Sequence, residues 1–111
     1  MQTVIQVVCR GAKSLRDVIA SDEHVRDHRL QLIHSKRQHR SPGWAKLTST
    51  EGESGAINVA WSGSSHTLTC RVVTKNRNKP HRIVGDFVAY LLAQHSRRIV
   101  AVLISRVKPL Q

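Results

Sequence analysis

The hydrophobic pattern changes its period once, in the second half of the chain, and this change is the strongest constraint on the fold. Apolar side chains alternate with polar ones over residues 57–72, and the alternation is interrupted at residues 62–65, Ser-Gly-Ser-Ser. This pattern predicts a β-hairpin with a short glycine-containing turn. Over residues 83–92 the apolar residues recur at helical spacing, which predicts a helix with one buried stripe. The predicted stripe comprises Ile83, Val84, Phe87, Val88, Leu91 and Leu92, and Tyr90 lies off it.

Shorter patterns predict the remaining elements. Residues 3–9 are rich in β-branched side chains and predict a strand. Ser14 can cap a helix, with Asp17 in the capping-box position, so a helix is expected over residues 14–27. Residues 28–40 are ambiguous between helix and strand; we interpret them as an exposed strand end followed by a basic loop, before a further strand at residues 44–50. Residues 99–104 are wholly apolar, which predicts a central strand covered on both faces or a strand at an interface.

Together these elements predict an α+β fold, a mainly antiparallel β-sheet of about five strands with two helices packed on one face. The chain has 111 residues, which suits a single domain over residues 1–111. Its longest apolar run is far shorter than the roughly 20 residues that span a bilayer, and no secretory signal is visible. We therefore expect a cytoplasmic protein without a membrane partner.

The two cysteines, Cys9 and Cys70, both lie in apolar alternating segments. This placement favours two buried, reduced thiols, with a disulfide between them as the alternative. No CxxC pair is present, so a structural zinc site of the usual kind is not expected, and no cofactor motif is found.

Charge is the main indication of function. Lys and Arg number 18 against 7 Asp and Glu, giving a formal net charge of +11. Such a balance favours a polyanionic partner, first of all nucleic acid, either RNA or DNA; contacts with protein or with other anions remain alternatives. The cations are densest just before the predicted helix, where Asn78 is a candidate cap and Pro80 suits the first turn.

A helix start presents unpaired N–H groups and the positive end of the helix dipole, so cations there predict a phosphate site. The predicted contacts at this site are Lys75, Arg77, Lys79 and Arg82. We expect Arg37, Arg40 and Arg98 to extend the footprint along a nucleic-acid backbone.

The order helix, three strands, helix over residues 14–95 resembles the double-stranded RNA-binding domain, in the order of elements alone. In that family a basic cluster at the start of the last helix contacts phosphates, and the resemblance implies this role for residues 75–82. The family's usual lysines on the helix itself are replaced by Ile83 and Val84, and extra strands flank both ends.

Two other functions are weighed against a non-enzymatic nucleic-acid-binding domain. His66, His81 or His95 beside a cation could serve as acid and base in a small metal-independent ribonuclease of the toxin type, although no spacing identifies a pair. Alternatively, the strands at residues 3–9 and 99–104 could pair across a two-fold axis in a homo-oligomer, if either lies at a sheet edge. His24 and His28 have the spacing of a metal pair, but a polar helix face is the favoured interpretation.

Overall fold

A computed structural model describes residues 2–33, 45–51, 55–74 and 80–107 of the chain. Its helices are α1 (Leu15–Ala20) and α2 (His81–His95), and two short 3-10 helices cover Glu23–His28 and Ser96–Arg98. Its strands are β1 (Gln2–Cys9), β2 (Leu30–Leu32), β3 (Ala45–Ser49), β4 (Ala56–Ser62), β5 (Thr67–Val73) and β6 (Ile99–Val107). The predicted α+β class is confirmed, with six strands in place of about five.

All six strands form one antiparallel sheet in the order β2-β3-β4-β5-β1-β6. The predicted hairpin is confirmed as β4 and β5, with Trp61 opposite Leu68. Its turn uses a left-handed backbone at His66, where φ is 51°. β1 lies between β5 and β6, so a strand from the start of the chain pairs with two strands from its second half.

One face of the sheet packs against the helices and forms the core. Alternate residues of β1, β3, β4 and β5 are buried, as the period of two requires, and they form one core cluster with residues of α1 and α2. Cys9 and Cys70 are both buried on this face and both are free thiols, as predicted. Burial raises the pKa of each thiol, so both are kept in the uncharged form.

The helix expected over residues 14–27 is divided in two. Ser14 caps α1 as predicted, because its Oγ accepts the N–H of Asp17 at 3.2 Å. The helix ends at Ala20, and the Oγ of Ser21 donates back to the carbonyl groups of Asp17 and Val18. Asp22 then accepts the N–H of His24 at 3.0 Å and opens a 3-10 helix. Short polar side chains that bond to nearby backbone account for the break.

The buried stripe of α2 differs from the predicted one at its end. Ile83, Phe87, Tyr90 and Leu91 are buried, whereas Leu92 is 52% exposed. A step of four residues advances about 40° around a helix, so a stripe drawn in such steps rotates away from the core. Tyr90, three residues after Phe87, returns to the buried side.

β6 corrects a second prediction. It is an edge strand, so the central position expected for residues 99–104 is wrong. Val100, Leu103 and Ile104 are each about half exposed. The alternative, that this strand belongs to an interface, stays a prediction. None of the helices in the described segments is long and apolar enough to cross a membrane.

Candidate nucleic-acid interface

The predicted phosphate contacts are only partly within the described residues. Lys75, Arg77, Lys79, Arg37 and Arg40 lie outside them. Arg82 is the second residue of α2 and is exposed, and Arg98 directly precedes β6. The structure therefore tests the surroundings of two of the seven predicted residues, and these two occupy separate sites.

The start of α2 carries charges of both signs. Its N-cap is Pro80 rather than the predicted Asn78, and no side chain caps it. A cleft beside it is lined by Arg29, Glu51, His81, Arg82, Gly85 and Asp86. Asp86 accepts hydrogen bonds from Nη2 and Nε of Arg29 at 2.9 and 3.3 Å. Two carboxylates therefore line the cleft beside Arg29 and Arg82, and they partly offset the positive potential of these two cations.

The face of the sheet turned away from the helices carries a row of polar side chains. Lys46 of β3 lies opposite Asn58 of β4, and Asn58 lies opposite Arg71 of β5. In the next row, Thr69 lies between Ala60 and Gln6. We call this surface, defined by Lys46, Asn58, Thr69, Arg71 and Gln6, the open face. Arg71 and Gln6 are exposed, and Lys46, Asn58 and Thr69 are half-buried among their neighbours.

The described carboxylates are separated from the open face. None of them lies on a strand: Asp17 and Asp86 are on α1 and α2, and Glu51 follows β3. Of the remaining three, Asp22 caps the 3-10 helix at residues 23–28, and Glu23 and Asp27 lie within it. The open face therefore combines two cations with neutral donors and acceptors, whereas the acidic groups accompany the helices.

A second basic group forms at one end of the sheet, where β1 ends and β6 begins. The backbone N–H of Arg10 donates to the carbonyl of Arg98 at 2.7 Å, and Nη1 of Arg10 donates to the carbonyl of Arg97 at 3.0 Å. Nη2 of Arg98 donates in return to the carbonyl groups of Arg10 and Lys13. We call Arg10, Lys13, Arg97 and Arg98 the basic corner. Arg10, Lys13 and Arg97 are exposed.

Within the basic corner, Arg98 has a positioning role. Its guanidinium carbon lies 5.9 Å from the centre of the Trp61 ring, a cation–π distance, and Nη2 binds two backbone carbonyls. Gly11 turns the same loop with a φ of 79°, which favours glycine. Arg98 therefore fixes the loop at residues 10–13, and its exposed neighbours are the cations available to a ligand. The sequence prediction included Arg98 but missed Arg10 and Lys13.

Asp22, Tyr90 and His95 form a polar cluster between the 3-10 helix at residues 23–28 and the end of α2. The Tyr90 hydroxyl donates to Oδ2 of Asp22 at 2.6 Å, and its oxygen lies 2.8 Å from Nε2 of His95. Since the hydroxyl has one hydrogen, Nε2 of His95 must be the donor in the second bond. Nε2 also lies 3.2 Å from Oδ2 of Asp22.

Burial and hydrogen bonding set the charge of this cluster. Burial lowers the pKa of His95, although the Asp22 carboxylate opposes this effect. Burial would raise the pKa of Asp22, but hydrogen bonds from Tyr90 and from the His24 N–H, with the nearby histidines, lower it overall. Burial and the bond to Asp22 raise the pKa of Tyr90. The side chains of Asp22 and His95 are only 12% and 11% exposed, so the cluster joins two elements and offers little access to a substrate.

His24 and His28, which have the spacing of a metal pair, make other contacts. Nδ1 of His24 lies 3.0 Å from Oδ2 of Asp27, and the ring of His28 packs edge-on against Tyr90. In the described ranges no group of three or more His, Cys, Asp or Glu side chains is arranged to hold a metal ion.

Comparison with known proteins gives no family for this chain: no family model matches it, and neither a curated protein sequence nor a solved structure is significantly similar to it. Its function is therefore inferred from its own geometry.

Proposed function

We propose that this protein is a non-enzymatic nucleic-acid-binding domain that contacts its ligand with the open face of the sheet. The observation that carries the proposal is the row Lys46, Asn58 and Arg71, on a face where the described strands bear no carboxylate. Cations free of competing carboxylates attract a polyanion, and the net charge of +11 adds a long-range attraction.

The polar groups of the open face have distinct roles in this proposal. Lys46 and Arg71 lie two strands apart, about 10 Å, and bind phosphates. Asn58, Thr69 and Gln6 supply hydrogen bonds to sugar and phosphate oxygens, which position a ligand without reading its sequence. The row therefore favours contact with the backbone over base-specific recognition.

The open face and the basic corner can share one ligand. The strand spacing and the rise per residue place Lys46 and Arg10 about 25 Å apart, which corresponds to about seven base pairs. The described aromatic side chains, Trp61, Phe87 and Tyr90, belong to the helix-covered side. Base stacking is therefore not the basis of the proposal, and a duplex is favoured over a single strand.

The test is binding of fluorescent RNA and DNA duplexes, and of their single strands, over a salt series from about 50 to 200 mM. Arg71→Gln removes one cation from the open face, and Arg26→Gln removes one exposed cation from the 3-10 helix at residues 23–28. We expect Arg71→Gln to weaken duplex binding several-fold and to reduce the slope of log K against log salt by about 1. Arg26→Gln should leave the slope unchanged.

Equal effects of Arg71→Gln and Arg26→Gln, or no binding at the lowest salt, would contradict the proposal. All probes are incubated with a chelator and examined on a gel. Cleaved probes would contradict the non-enzymatic assignment and favour the ribonuclease alternative instead.

A further inference from the structure

The sheet has two different edges. β2, at one edge, has three residues, whereas β6, at the other, has nine. β6 pairs with β1 on one side, and among the described strands no other pairs with it. Alternate backbone N–H and C=O groups along its outer side are therefore available to a further strand.

β6 lacks the features that normally prevent strand addition. Exposed edges are commonly protected by charged side chains, by proline or by short length. Residues 99–105 contain no charge and no proline. A register shift at the junction with Val8 and Cys9 interrupts the start of β6, and the pairing with β1 is regular from Ala101 onward. The regular part is thus both long and apolar.

Apolar side chains are available on both faces of this edge. Leu103 pairs with Gln6 and so lies on the open face, whereas Ile104 pairs with the buried Ile5 and lies on the helix side. They are 49% and 52% exposed. An added strand would therefore cover one apolar side chain on each face of the sheet.

Charge selects the kind of strand that fits. The exposed Arg97 precedes β6 and the exposed Arg106 lies near its end, so a neutral apolar strand is bounded by cations at both ends. In an antiparallel pair of two copies, the cationic start of one β6 would lie beside the cationic end of the other. Like charges in directly opposite positions destabilise strand pairing. A segment with carboxylates at both ends is complementary instead.

We propose that β6 binds an extended segment of another protein, apolar in its centre and carrying Asp or Glu at both ends, which adds a seventh strand to the sheet. Backbone hydrogen bonds supply affinity, and Leu103, Ile104 and the flanking arginines supply selectivity. The outer edge of β6 is separate from the row Lys46, Asn58 and Arg71, so the inference does not depend on nucleic-acid binding.

The experiment measures binding of a fluorescent peptide, Asp-Asp-Val-Thr-Val-Ile-Val-Thr-Asp-Asp, by anisotropy. A second peptide has Lys in place of each Asp. We expect the acidic peptide to bind roughly tenfold more tightly than the basic one, with an advantage that salt reduces. Hydrogen exchange of the unaltered protein should show new protection of β6 amides when the acidic peptide is added.

Two variants locate the peptide. Leu103→Lys places a charge on the edge, and Leu92→Lys places the same charge on an apolar residue of α2 that is equally exposed, at 52%. We expect Leu103→Lys to weaken binding of the acidic peptide roughly tenfold, because a lysine on an edge opposes strand addition. Leu92→Lys should have no effect.

Three results of the peptide experiments would overturn the proposal. These are the absence of binding, equal loss in the two lysine variants, or protection that appears outside β6. A concentration-dependent dimer in sedimentation that Leu103→Lys dissociates would assign the edge to a second copy of this chain, and would also overturn it.

Discussion

The substitution Tyr90→Phe tests whether the Asp22, Tyr90 and His95 cluster stabilises the fold. The Tyr90 ring is fully buried, so phenylalanine keeps its packing against Phe87 and the core. The change removes only the hydroxyl, which donates to Oδ2 of Asp22 at 2.6 Å and accepts from Nε2 of His95. It therefore isolates the polar contribution of the cluster.

The expected magnitude follows from burial and charge. Hydrogen bonds to charged groups contribute about 1.5–3 kcal/mol, and the Asp22 carboxylate cannot regain this bond from bulk water because its side chain is 12% exposed. His95 remains as a partner for Asp22 and moderates the loss. We expect Tyr90→Phe to lower the free energy of unfolding by about 2 kcal/mol, or the melting temperature by about 10 °C.

Urea unfolding followed by circular dichroism measures this change, and Asp27→Asn is the matched control. Asp27 also makes a polar contact, at 3.0 Å to His24, but both side chains are 64% exposed. Solvent should screen that pair, so Asp27→Asn should leave the unfolding midpoint unchanged. A Tyr90→Phe midpoint equal to that of the unaltered protein would refute the reasoning.

Three further predictions concern stability. Burial lowers the pKa of His95, so the unfolded chain binds a proton at this residue at a higher pH than the folded protein does. The free energy of unfolding should therefore fall as the pH decreases through about 6.5. His95→Gln should make this pH dependence less steep, as measured by urea titrations at several pH values. Gly85→Ala should stabilise the protein by roughly 0.5–1 kcal/mol, since Gly85 lies within α2 and a Cβ there meets no neighbouring atom. Gly11→Ala should destabilise it by about 1 kcal/mol, because the φ of 79° at Gly11 is unfavourable for a residue with a Cβ. Thermal melts of the two variants measure both changes. Arg98→Met should destabilise by about 2 kcal/mol in urea unfolding and increase hydrogen exchange in the loop at residues 10–13, because two carbonyls lose their donor.

Local patterns in the sequence were sufficient for most of the elements. The hairpin of β4 and β5 follows from alternation and a glycine-containing turn, and the start of α1 follows from the capping hydroxyl of Ser14. Both signals depend on residues close together in the chain. The end of α1 also has a local cause, the hydrogen bonds of the Ser21 and Asp22 side chains to nearby backbone. A prediction from helical periodicity alone does not take these bonds into account.

The errors arise where the environment is set by distant residues. Residues 99–104 look like a central strand, and only the strand order shows that β6 has one neighbour. Tyr90 looks like a surface residue until Asp22 and His95 are placed beside its hydroxyl.

The candidate site likewise depends on contacts between residues that are distant in the sequence. Net charge predicted a polyanionic partner, and sequence reasoning selected the densest run of cations, most of which lies outside the described residues. Arg10 and Lys13 are far from Arg97 along the chain, and the antiparallel pairing of β1 with β6 brings their loop beside it. Lys46 and Arg71 are likewise joined only through Asn58 on the strand between them. A charge pattern in sequence cannot show which cations share a surface.

The position of β1 in the sheet has a consequence for folding kinetics. Val4 pairs with Arg71 on one side and with Ser105 on the other, so both ladders of β1 close loops of more than about 60 residues. Proteins rich in such non-local pairs fold slowly, over milliseconds to seconds, because loop entropy is lost before the contacts form. During synthesis the first ladder of β1 forms only after β5 has been made, and the second only after β6, whereas the hairpin of β4 and β5 forms between strands that are adjacent in the sequence. The hairpin is therefore the expected nucleus, and the docking of β1 between β5 and β6 the expected slow step.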